Sequence, residues 1–287
     1  MDALRIKNLK KEYKGFCLKN INLTLPKGYI LGYIGQNGAG KTTTLKLIME
    51  EIKCDAGEVT VFGNKYNDDE IKFKNNIGYI ADECYFPNSL TLKDLTKSLK
   101  EFYSSFDEHK FESYLEKWGL LKCKSVKELS KGMKTKLMFA SVFSRDTKLL
   151  LLDEATSALD PVIRDEILQL LQEYISDGEK SVLFSTHIMS DLEKIADYIY
   201  FIDKGETILN DTKDNILENY LLLKGGNSDF TTTVKDKLIG YKNSSVGFEG
   251  LIRLNDKKYI DNGLLIETPS IDDIIIYHIN GLRGNIE

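Results

Sequence analysis

Residues 29–48, YILGYIGQNGAGKTTTLKLI, restrict the fold more than any other part of the 287-residue chain. An apolar run ends at Gly35 in a glycine-rich turn, and a helical pattern then runs from Lys41 to about Ile52. Gly35, Gly38 and Gly40 let the backbone curl until successive N–H groups face one point. The helix that follows aims its positive end at the same point. GQNGAGKT at 35–42 fits G-x-x-x-x-G-K-[ST], the spacing of a phosphate cradle. Lys41 supplies a mobile charge for β- and γ-phosphates, and Thr42 a hydroxyl for Mg²⁺. The bland alternative is a ligand-free turn, against which the strand before it and the helix after it both argue. A nucleotide is the expected ligand, held by Gly35, Gln36, Asn37, Gly38, Ala39, Gly40, Lys41, Thr42 and Thr43.

Around this turn the chain alternates strand and helix signals. LRIKNL (4–9) and LKNINLTL (18–25) alternate as half-buried strands and predict a small antiparallel layer. GEVTVFG (57–63) and NIGYIAD (76–82) are further strands. Helical periodicity dominates 90–147, with TLKD at 91–94 as a capping box and Gly119 ending a helix after Trp118. KLLLLDE (148–154) has no polar alternation across Leu149–Leu152, the pattern of a strand covered on both faces. Asp160-Pro161 starts a helix, KSVLFSTH (180–187) is another buried strand, and YIYFIDKGETIL (198–209) a hairpin. This order predicts a parallel sheet covered on both faces. Beyond about Asp211 the pattern becomes one helix, a Gly-Gly at 225–226, and short strands with polar turns.

Composition narrows the function classes. A net charge of −5 argues against broad affinity for nucleic acid or anionic lipid. No apolar run approaches the roughly 20 residues of a membrane span, and MDALRIKNLKKEYKG lacks the apolar segment of a secretion signal. A cytosolic chain is expected, with any membrane role coming through a partner. Cys17, Cys54, Cys84 and Cys123 form no C-x-x-C pair, so reduced thiols are expected; the three histidines are equally dispersed.

Ligands of open α/β sheets sit beyond the carboxyl ends of the strands. Gly35, Asp82, the Asp153-Glu154 pair and His187 each follow a predicted strand. Asp153 suits Mg²⁺ opposite Thr42, and Glu154 suits a base that orients or deprotonates water. Adjacent carboxylates also mark strands that emerge into solvent. A lone histidine is more often structural, so the case for His187 rests on its position.

Together these stretches resemble the ATP-binding subunit of ABC transporters over roughly residues 1–210. GQNGAGKT resembles the family's Walker A loop, LLLLDE the Walker B strand with catalytic Glu154, SALD (157–160, ending at Asp160) the D-loop, and STH (185–187) the switch histidine. Tyr13 stands where the family stacks an aromatic on adenine; a tyrosine here is equally a sheet-packing residue. LSKGM at 129–133 resembles the signature LSGGQ, which in the family's head-to-tail dimer contacts ATP bound by the other subunit. The resemblance thus implies that Ser130 and Gly132 face the γ-phosphate on a partner's Lys41 loop. It also implies a P-loop NTPase core with a mainly parallel sheet, an N-terminal antiparallel β layer and a helical insert subdomain (about 85–147), followed by a C-terminal accessory α+β appendage at 211–287. Three departures stand out. Lys131 and Met133 replace family residues in the signature, Gln36 replaces a common proline, and Asp82 stands in place of the Q-loop glutamine. Asp82 can approach Mg²⁺ or water while adding negative charge, so an altered Mg²⁺ dependence is expected.

The function implied is an ATPase, with ATP and Mg²⁺, that drives a separate integral membrane permease. Export is the expected direction, with a second nucleotide-binding subunit in a homo- or heterodimer. The chain would lie peripherally on the cytoplasmic face of the membrane. The alternative is a soluble ABC-type ATPase acting on ribosomes or nucleic acid; such relatives generally carry two nucleotide domains, coiled-coil insertions or basic surfaces. A third reading, a non-catalytic ATP sensor, conflicts with the presence of Glu154. For 211–287, dimer support and regulation both stay open.

Overall fold

A computed structural model describes residues 1–260 and 263–284. The chain divides into two units, Met1–Asn210 and Asp211–Glu287.

In the first unit, β1 (Asp2–Tyr13) and β2 (Phe16–Pro26) form an antiparallel hairpin. After β3 (Ile30–Gly35) and α1 (Lys41–Ile48), β4 (Ala56–Val61) pairs with the free side of β1, giving the layer order β2-β1-β4. Next come α2 (Glu70–Asn75), β5 (Ile77–Ile80), α3 (Leu92–Phe102), α4 (Glu108–Lys117), α5 (Lys131–Phe143) and β6 (Leu149–Asp153). The unit continues through α6 (Pro161–Ile175), β7 (Ser181–Ser185), α7 (Met189–Ile195), β8 (Tyr198–Asp203) and β9 (Glu206–Thr212). The main sheet has the order β5-β6-β7-β3-β8-β9, and its first five strands run parallel. Their carboxyl ends therefore share one edge, which is where the candidate residues lie.

Burial explains the strands without alternation. Leu149 to Leu152 are all 0% exposed, and burying each leucine stabilises by roughly 1.5–3 kcal/mol. Leu31, Tyr33, Leu151, Leu183 and Tyr200 share one core with Leu4, Leu23 and Val61 of the antiparallel layer. Tyr33 and Tyr200 stack at 5.2 Å, fixing β3 against β8 directly below the glycine-rich turn. The helical insert is tied to the sheet edge by Arg145, which donates to Ile77 O at 2.9 Å and lies 3.8 Å over the Tyr103 ring.

Three local expectations need correction. The helix from Lys41 stops at Ile48 rather than near Ile52: Glu50 turns left-handed (φ 56°) and Glu51 N–H reaches back to Lys46 O at 3.0 Å. That is a Schellman ending with Glu where glycine is usual, so composition hides it. The TLKD box is half formed. Thr91 caps Asp94 N–H, but the Asp94 carboxylate takes the Thr91 hydroxyl at 2.7 Å instead of the backbone. The third concerns the second unit, which has more helix than one segment.

That unit holds α8 (Lys213–Asn219), β10 (Tyr220–Gly225), α9 (Thr232–Lys235), β11 (Gly240–Asn243), β12 (Phe248–Arg253), β13 (Leu265–Glu267) and α10 (Ile271–Arg283). Its antiparallel sheet has the order β11-β12-β10-β13, with Leu223, Val234, Phe248 and Ile252 at the core. The run DIIIYHI inside α10 is rich in β-branched residues, which favour strands. The S-x-x-D capping box at Ser270 and Asp273 overrides that local preference.

Candidate functional site

The turn between β3 and α1 is held from below. Tyr33 Oη meets Thr44 Oγ1 at 2.9 Å, and Thr44 Oγ1 donates to Gly40 O at 3.0 Å. Gly40 sits at φ 114°, and a Cβ there would fall 2.9 Å from Leu18 Cδ1, so backbone and space both demand glycine. As the N-cap of α1, Gly40 offers no side-chain acceptor. The first-turn N–H groups lack intrahelical partners and suit an anion. Lys41 is only 7% exposed; its ammonium donates to Gly35 O at 2.6 Å and lies 3.3 Å from Glu154 Oε1. It is folded back onto the turn, as a phosphate-seeking cation does when its contacts are made within the chain.

Asp153 ends β6 at 4% exposure, with the Thr42 hydroxyl beside it and Ser185 Oγ donating to Oδ1 at 3.4 Å. Burial pushes its carboxyl above the ordinary range, and the Thr42 hydrogen bond offsets part of that rise. Glu154 adopts a left-handed backbone, φ 53°. Such outliers cluster at functional sites. Its Oε2 takes His187 Nδ1 at 2.5 Å and the His187 backbone N–H at 3.3 Å. Because an ionised carboxylate only accepts, Nδ1 is the ring nitrogen that donates to Glu154. Glu154 Oε1 is buried without a hydrogen-bond partner among the described residues. Its approach to Lys41 is therefore a charge contact without hydrogen-bond geometry. Lys41, Asp153, Glu154 and His187 thus converge at the sheet edge.

The other sequence candidates surround this centre. Tyr13, 47% exposed at the end of β1, lines an open cleft of about 670 Å³ together with Gly38. Asp82, two residues past β5, pairs its carboxylate with Lys131 Nζ at 2.7 Å, a partner the sequence does not suggest. Ser130 caps α5, accepting from Met133 N–H at 3.3 Å, and Gly132 lies close to Ala158 O, where a Cβ would stand at 3.1 Å. Asp160 caps α6 through Ile163 N–H at 3.1 Å. Gln36 and Asn37 sit on the rim of the turn, Ala39 is buried beneath it, and Thr43 is half-buried in the first turn of α1.

Among the described residues no three His, Cys, Asp or Glu side chains form a metal cage. Asp153 with the Thr42 hydroxyl is a sparser set, one carboxylate and one hydroxyl. That fits Mg²⁺, which keeps waters and phosphate oxygens as its other ligands. The raised Asp153 carboxyl is an under-compensated buried charge that a divalent cation would balance.

The family model described as ABC transporter matches residues 18–157. The ABC transporter ATP-binding protein YtrB of Bacillus subtilis is 31% identical over 222 residues, covering 77% of this chain and 76% of its own length. The chain belongs to the ABC transporter ATP-binding proteins. The lantibiotic transport ATP-binding protein SrtF of Streptococcus pyogenes is 34% identical, over 74% of this chain and 91% of that one. A solved structure of an ATP binding subunit of an ABC transporter superposes with a TM-score of 0.68 at 26% identity, covering 75% of this chain and 91% of that chain. As a member of this family the chain binds ATP and hydrolyses it.

Two supports of this ABC ATPase site were not legible beforehand. Thr156 Oγ1 donates to Asp191 Oδ2 at 3.0 Å, both buried, bracing the segment after Glu154 against α7. Burial raises the Asp191 carboxyl, and the Thr156 bond partly offsets that rise. Ser185 on Asp153 is the second. Neither has a spacing that sets it apart from ordinary strand and helix polar residues.

Proposed function

We propose that this ATPase works as a pair of nucleotide-binding subunits, in the simplest case two copies of the chain, beneath an integral membrane permease on the cytoplasmic face. The transport it drives is export. The similarity to SrtF, named for lantibiotic transport, supports a transport role. No helix among the described residues is long and apolar enough to cross a membrane, which fits a membrane path built by another subunit.

The observation that carries the reading is the Glu154 carboxylate, held between Lys41 Nζ at 3.3 Å and His187 Nδ1 at 2.5 Å. When ATP enters, Lys41 leaves Gly35 O and Glu154 for the β- and γ-phosphates, and the bare N–H groups of α1 take phosphate oxygens. Freed from Lys41, Glu154 polarises the attacking water while His187 keeps the carboxylate in place. Mg²⁺, held by Thr42 and Asp153, would supply the charge that neutralises the phosphates; Asp82 joins it only by giving up Lys131. Tyr13 bounds the base side. Ser130 and Gly132 act on the nucleotide of the second subunit, and Asp160 lies at the same interface. The shared γ-phosphate then joins the two subunits, and its loss releases them.

Glu154→Gln tests this. The variant keeps ATP binding, loses turnover by roughly 10²–10⁴-fold, and sediments as an ATP-dependent dimer. A monomer at high protein concentration with saturating ATP contradicts the reading.

A further inference from the structure

The turn of the β8–β9 hairpin is placed against the nucleotide loop. Lys204 and Gly205 have φ of 47° and 78°, a type I′ pair. Gly205 N–H donates to Ala39 O at 2.9 Å, and Gly205 O accepts from Lys19 N–H at 2.8 Å. A Cβ at 205 would lie 2.0 Å from Cys17 O, so the turn is wedged between β2 and the glycine-rich loop. Lys204 occupies a left-handed position that asparagine or glycine fills more easily.

Lys204 lines the same cleft as Tyr13 and Gly38, with Glu12, Cys17 and Lys19 on the walls. The other charges there are committed: Lys19 to Glu206 at 2.6 Å, Glu12 to Lys10 at 2.8 Å. Among the described residues Lys204 has no hydrogen-bond or ion-pair partner. The cleft lining includes neither Lys41 nor Glu154, so Lys204 stands on the Tyr13 side of the loop.

We propose that Lys204 is a nucleotide-positioning residue, its ammonium serving the ribose and inner-phosphate side of the ligand. The inference rests on the assignment of ATP to the Lys41 loop. A cation there attracts a nucleoside diphosphate and triphosphate alike, because it acts away from the γ-phosphate. Exposure limits its effect to roughly two- to fivefold in affinity.

Lys204→Asn separates charge from backbone, since asparagine suits the left-handed turn. Its melting temperature stays at or above the parent's. Affinity for ADP and for ATP falls by the same roughly two- to fivefold, the loss appears in KM rather than kcat, and it shrinks as salt rises. Lys204→Arg recovers most of the affinity. Parent-like nucleotide binding by Lys204→Asn, a loss confined to ATP, or equal loss in Lys204→Arg overturns the proposal. Lys41→Ala is the control. If it still binds nucleotide like the parent, the underlying site assignment fails instead.

Discussion

α1 begins at Gly40, which gives the helix no side-chain cap and sets a nearly buried Lys41 beside it. α5 begins at Ser130, whose hydroxyl is used on Met133 N–H, and is followed by an exposed Lys131 paired with Asp82. One helix N-terminus is left open in advance, with its cation borrowed by Gly35 O and Glu154. The other is satisfied within its own chain, so any anion that docks there competes with a cap and an ion pair. The contrast suits a division of labour in which the first end binds nucleotide by itself and the second engages only when a loaded partner arrives. In that proposal the exposed Lys131 belongs to a surface that a second subunit would cover.

The largest effect is expected at the open end. Lys41→Ala removes a charge-assisted contact to phosphate, typically about 1.5–3 kcal/mol, and weakens ATP binding by roughly 10- to 100-fold. It also strips Glu154 of its nearby cation, so titration of nucleotide should be read beside a melting curve. Unchanged affinity breaks the contrast.

The smallest effect is expected at the Lys131–Asp82 pair beside the closed end. Side chains of Lys131 and Asp82 are 58% and 49% exposed, and exposed pairs couple by about 0.2–1 kcal/mol. A double-mutant cycle with Asp82→Gln and Lys131→Ala should give coupling in that range. The Mg²⁺ requirement of Asp82→Gln should shift by less than about fivefold, because Lys131 already neutralises the carboxylate. A larger shift would return Asp82 to the metal.

Legibility followed burial and backbone. The Gly35–Thr42 turn, the all-leucine β6 and the Asp160-Pro161 helix start are written in residues whose local physics admits few structures. So the shared strand edge, with Asp153, Glu154 and His187 on it, follows from the sequence. What stayed hidden depends on partners far along the chain or on residues in unusual roles. Asp82 and Lys131 lie 49 residues apart, and no local rule joins them. Glu50 ends α1 in a conformation glycine usually takes, and Glu154 and Lys204 share that left-handed region. In α10, Ile274–Ile276 resemble a strand by propensity, and the Ser270–Asp273 box and the left-handed Gly284 at the other end mark the helix. The Lys204 turn is plain as a hairpin in the sequence, but its hydrogen bond to Ala39 is a tertiary fact.

The pairing of an open end with a closed end across two copies is tested most directly by mixing two variants. Ser130→Asp preserves the helix cap while placing a carboxylate where the partner's phosphate would arrive. Lys41→Ala disables the open end. Each alone should be nearly silent in steady-state ATP hydrolysis, and a mixture should turn over, because one of its two pairings joins an intact Lys41 to an intact Ser130. Parent-like turnover by Ser130→Asp alone, or a mixture as silent as its components with both folded, would contradict the account.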